Sequence, residues 1–125
     1  MIRIPLQKKL KYLGDFGCYL ICLAKQFEQE DKILELYDYF LNKGYIDETC
    51  YVTDPIKIVK YLSGNNYRVE RLEKLPIKYD FAVLHYYNKN TGLGHFVLKD
   101  WDPLGNSNTK LNGVIESYRV FTKIN

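Results

Sequence analysis

An α+β fold with an antiparallel sheet is what three observations on this 125-residue sequence predict. Apolar residues recur at helical spacing in the first half and alternate in the second, and the second half is rich in β-branched and aromatic residues. The helical segments also precede the strands as a block, whereas interleaved helices and strands would have indicated a parallel sheet. The length suits one domain, 1–125, burying roughly two thirds of the surface its unfolded chain exposes, and no repeat, low-complexity tract or long linker divides it.

The elements follow in order. Residues 1–14 read as extended or irregular, with Ile2, Ile4 and Leu6 alternating like a short edge strand. Asp15 is the expected N-cap of a first helix, FGCYLICLAKQF, which is apolar almost all round and must be the central helix that the sheet wraps. A second helix is expected from about Asp31 to Asn42, where Ile33, Leu34, Tyr37 and Leu41 repeat at helical spacing and Gly44 supplies the stop. A third has Asp54 as cap, Pro55 at its first position, and Ser63 and Gly64 at its end. Four alternating stretches then read as strands: Tyr67 to Leu72, Phe81 to Tyr87, Gly94 to Trp101 and Val114 to Phe121. Residues 88–94, NKNTGLG, form the hairpin loop, with glycines placed for positive φ.

Composition excludes several function classes. With 46% apolar and 26% charged residues, the chain is far from the signature of disorder. The net charge of +3 is spread out, and Lys8, Lys9 and Lys11 are its densest basic run, too weak a patch for nucleic-acid binding. The opening MIRIPLQKKLKYL lacks the apolar run of a secretory signal or a membrane span, so a cytosolic location is expected. Three cysteines, an odd number without an export signal, argue for reduced thiols. Twelve tyrosines supply amphipathic rings suited to a core rim, a cleft or an interface.

A cysteine acts as a nucleophile as the thiolate, and an unperturbed thiol is only about 3% ionised at pH 7. Cys18 stands in the first turn of the central helix, where unpaired amides and the positive end of the dipole favour an anion. Gly17 lets the backbone approach a substrate, and the amides there are candidates for an oxyanion hole. Cys22, one turn on, is expected to be buried and inert. The base that takes the thiol proton must be a histidine, of which His95, at the start of a strand, is preferred over His85 in the apolar run FAVLHYY. No metal or cofactor is expected: Cys18 and Cys22 share a helix face without converging ligands, and NKNTGLGH lacks the ending of a phosphate loop. The bland alternatives are a packed core cysteine and a solvated edge-strand histidine.

The strings GCYLICLA at 17–24, GHFVL at 94–98 and DWDPLGNSNT at 100–109 together resemble papain-like cysteine peptidases of the bacteriocin-leader-peptidase type. The closest likeness is to the short relatives carried by phages and bacterial plasmids. The resemblance implies a papain-like α+β domain in which a buried central helix packs on an antiparallel sheet of four to five strands. It implies Cys18 as nucleophile, His95 as base and Asp102 as the group that orients the imidazole. Gln7 is the candidate for the oxyanion-hole glutamine, although it lies eleven residues before Cys18 and Tyr12 occupies the position six before. Asp102 follows His95 by only seven residues, which an unbroken strand would hold roughly 20 Å apart, so the chain must reverse tightly within FVLKDW. Asp100, Asn106 and Asn108 are the alternatives, and an incomplete site is the remaining one. The leading expectation is a cysteine-dependent hydrolase acting on peptide, isopeptide or other amide bonds. The second is a papain-like fold without turnover that binds or inhibits a partner protein, in the manner of a phage factor.

Overall fold

The computed structural model describes residues 2–105 and 113–124. Among these residues four α-helices come first: α1 (Leu6–Phe16), α2 (Cys18–Gln26), α3 (Ile33–Lys43) and α4 (Pro55–Ser63), with a 3₁₀ turn at Glu30–Lys32 leading into α3. Four strands follow among the described residues: β1 (Tyr67–Leu72), β2 (Phe81–Asn88), β3 (Leu93–Val97) and β4 (Val114–Lys123). Among the described residues every pairing is antiparallel and the order across the sheet is β1-β4-β2-β3, which leaves β3 at an edge. The α+β class therefore holds.

The caps behave as their chemistry dictates. Asp54 accepts the Lys57 amide at 3.1 Å with Pro55 at the first helical position of α4. Gly44 and Gly64 end α3 and α4 in the left-handed region, at φ +77° and +78°.

The N-terminal segment differs from the strand expected there. Leu6, Leu10 and Leu13 repeat at helical spacing and Pro5 caps α1, so helical period wins over the short Ile2, Ile4, Leu6 alternation. The helical signal is faint because Leu6 and Leu10 stay exposed and only Lys9 and Leu13 are buried, Lys9 with its ammonium 2.8 Å from Asp38. Asp15 is not the cap of the central helix either. It lies in the last turn of α1, paired with Lys11 at 2.9 Å, and Gly17 caps α2.

The core is built around α2, as its all-round apolarity requires. Leu20, Cys22, Leu23 and Ala24 are fully buried, and α3 contributes Tyr37 and Phe40, α4 contributes Ile58 and Val59. The register places Tyr67, Val69, Phe81, Val83 and Phe121 on one face of the sheet, against these helices. Across that face Phe81 and Phe121 are direct cross-strand partners whose rings stack at 4.6 Å. Each such buried side chain contributes about 1.5–3 kcal/mol of apolar transfer.

Candidate active site

Two neighbouring segments hold α2 against edge strand β3. The Cys22 thiol donates to the Phe96 carbonyl at 3.5 Å, and the ring of Tyr19 stacks on Phe96 with centroids 4.6 Å apart. This docking sets the start of α2, and so Cys18, beside the strand that carries His95. Gly17 makes the approach of α1 and α2 feasible, because a Cβ there would lie 2.5 Å from the Leu13 carbonyl oxygen and 2.8 Å from Leu13 Cα. The first helical bond of α2 runs from the Ile21 amide to the Gly17 carbonyl at 2.9 Å, so the amides of Cys18, Tyr19 and Leu20 precede the ladder.

The chain does reverse within FVLKDW. Leu98 and Trp101 bond each other in both directions, at 2.9 and 3.3 Å, around a two-residue turn at Lys99 and Asp100 that needs neither glycine nor proline. Trp101 anchors the turn on the core, with the Lys25 ammonium of α2 5.4 Å from its ring. A second turn follows at once: Asp102, Pro103, Leu104 and Gly105 have turn-forming residues in their preferred places, and the Gly105 amide bonds the Asp102 carbonyl at 2.8 Å. Inside it the Asp102 carboxylate accepts the Leu104 amide at 2.8 Å.

These two turns return Asp102 to His95. Its Oδ1 is 2.7 Å from His95 Nε2, and the carboxylate is buried. The imidazole is thereby held by its Nε2–H, which leaves Nδ1 for the thiol of Cys18, with which His95 also has a side-chain hydrogen bond. Burial works to lower the pKa of His95, but the hydrogen bonds to Cys18 and Asp102 and their negative charge outweigh it, and the net shift is upward.

Cys18 and His95 both line a cleft of about 360 Å³. Its walls are Leu13 and Ile21 on the helical side, Tyr86 on β2, and Pro103 and Leu104 of the turn. Tyr86 is the direct cross-strand partner of His95, a relation that depends on register and was not visible as a site signal. The other two thiols stand apart. Cys22 is fully buried, burial driving its pKa far up, and Cys50 is buried with its pKa pushed up to about 12, first by burial and then by the charge of Cys18. All three cysteines are free.

Of the expected site residues, Cys18, His95 and Asp102 come together. Gln7 does not join them: it is exposed in the first turn of α1 and does not line the cleft. Asp100 is exposed at the tip of the Lys99–Asp100 turn, and Asn106 and Asn108 lie outside the described residues. His85, the other candidate base, points to the opposite face from His95 and bonds Glu116 at 3.1 Å. The glycine before His95 serves this second histidine. Gly94 is in β3 instead of the left-handed region, and a Cβ there would run into His85 Nε2, whereas Gly92 takes the positive φ expected of the loop. Among the described residues no three His, Cys, Asp or Glu side chains converge as metal ligands, and no helix is long and apolar enough to cross a membrane.

No curated protein and no solved structure shows significant similarity to this chain. A family match does, and it spans residues 6–123, from the start of α1 to the end of β4, and so takes in the whole Cys18, His95 and Asp102 constellation. The chain belongs to the DUF261 family, described as proteins of unknown function.

Proposed function

We propose that the chain is a cysteine-dependent hydrolase of papain-like type, acting on an amide bond of a peptide or protein. The observation that carries this reading is the chain of contacts from the buried Asp102 carboxylate through His95 to Cys18 at the mouth of a cleft. The Cys18 proton passes to His95 Nδ1, and the thiolate sulfur attacks the carbonyl carbon. The oxyanion is met by the amides at the start of α2, with no contribution from Gln7. The imidazolium then protonates the leaving amine, the C–N bond breaks, and a thioester to Cys18 remains. Water, deprotonated by the same imidazole, releases the acid and restores the thiol. Asp102 keeps the ring in the tautomer with Nε2–H and stabilises it when charged. A reducing, intracellular setting suits a site of this kind and its three free thiols.

The test is selective alkylation together with turnover. Cys18 is expected to react with iodoacetamide faster than N-acetylcysteine at pH 7, with His95→Ala slowing it, and a peptide library is expected to be cut by the parent chain and not by Cys18→Ala. Alkylation no faster than the free amino acid, and indifferent to His95, would end the hydrolase reading in favour of a binding protein.

A further inference from the structure

His95 and Phe96 project to opposite faces of β3. His95 faces the cleft, and Phe96 lines a second cavity of about 350 Å³ together with Tyr19, the residue next to Cys18. Two further aromatic rings line it, Phe16 and Tyr51, both exposed. Two guanidinium groups, Arg71 and Arg119, line it, and among the described residues no carboxylate does.

The charges around this cavity do not balance. Arg71 donates to Glu116 Oε1 at 2.9 Å, and the same oxygen is 3.1 Å from His85 Nδ1, so one carboxylate serves both. Glu116 is available to them because the β2–β4 register shifts there, between Ser117 opposite His85 and Ile115 opposite Tyr86. Arg119 donates to the hydroxyl of Ser117 at 2.8 Å and lies 5.3 Å from the Phe96 ring centre. Among the described residues it takes part in no ion pair, and the stretch 106–112 contains no acidic residue. Half-buried, its guanidinium has its pKa lowered chiefly by burial. A desolvated cation with spare donors over an aromatic wall gains most when an anion reaches it.

We propose that this cavity binds the carboxylate of an acidic residue in the peptide on which Cys18 acts, Arg119 pairing with the carboxylate and the stacked Tyr19 and Phe96 rings packing against its methylenes. This rests on the hydrolase reading for the identity of the peptide: Asp15 and Cys18 line the cleft while Phe16 and Tyr19 line this cavity, so the two flank the junction of α1 and α2 and a peptide laid across that junction meets both.

The experiment measures binding separately from turnover. Fluorescein-labelled peptide pools, alike except for Glu or Gln at one fixed position, are titrated by anisotropy against the full chain carrying Cys18→Ala. At one position the Glu pool is expected to bind about tenfold tighter than its Gln twin, Arg119→Gln to abolish the difference, and Arg119→Lys to keep part of it. Equal binding of Glu and Gln pools at every position overturns the proposal, as does a Glu preference that survives in Arg119→Gln. An Arg119-dependent preference without cleavage of the same pool by the parent chain upholds the site and refutes the hydrolase reading. Cleavage without any preference for Glu does the opposite.

Discussion

Asp102→Asn removes one negative charge from a side chain that is only 4% exposed, while keeping its shape. The amide oxygen can still accept the Leu104 amide, which Asp102 holds at 2.8 Å, so the turn persists and the change is electrostatic. What is lost is the charge-assisted bond to His95 Nε2, 2.7 Å long in the parent. A hydrogen bond to a charged group contributes about 1.5–3 kcal/mol. At about 1.4 kcal/mol per factor of ten, the thiolate–imidazolium form of the Cys18 and His95 pair should fall roughly tenfold to a hundredfold. The assay is the second-order rate of Cys18 alkylation by iodoacetamide at pH 7, followed by mass spectrometry. Proton NMR of the imidazole rings accompanies it, since the chain has only two histidines and His95→Gln assigns the signals. The titration midpoint of His95 is expected above the ordinary histidine value in the parent and lower in Asp102→Asn. An alkylation rate within twofold of the parent, together with an unmoved midpoint, would refute the claim that this carboxylate sustains the imidazolium.

Two further outcomes follow from the same geometry. Gly17→Ala pushes a methyl against the Leu13 backbone, 2.5 Å from its carbonyl oxygen, and should cost about 1–3 kcal/mol; a thermal midpoint equal to the parent would contradict that close approach. Stability against pH should separate the two histidines. His95, raised by its partners, contributes stability that is complete below its unfolded value and is lost as pH rises through its folded value. His85 is lowered, burial outweighing Glu116, so its contribution is present above its unfolded value and is lost as pH falls through its folded one. Urea midpoints between about pH 5 and 8 should therefore fall toward alkali in His85→Gln and toward acid in His95→Gln, and parallel profiles for the two would sink the assignment.

Much of the frame was legible because its signals are local. Asp54 with Pro55 announces α4, Gly44 and Gly64 stop two helices, and the all-round apolarity of 18–24 marks the helix that the core surrounds. The segment before it misled, since α1 leaves Leu6 and Leu10 in water and presents only a narrow apolar stripe against a competing alternation of three residues. Cys18 and His95 stood out by residue type and by their places at the starts of elements. Gln7 stood out by type alone, and position did not support it.

The sequence by itself determined the order of helices and strands from the central helix onward, the burial of that helix and the residue types able to carry thiol chemistry, since propensity, periodicity and caps act within a few residues. Only the tertiary structure decided which of these residues meet. The Lys99–Asp100 turn brings Asp102 back to His95, strand register sets Tyr86 beside His95 and sends His85 to the other face, and the docking of α2 on an edge strand sets Cys18 at the cleft. Such meetings depend on side chains far apart in sequence packing at near-crystalline density, and a short stretch of chain carries no record of that.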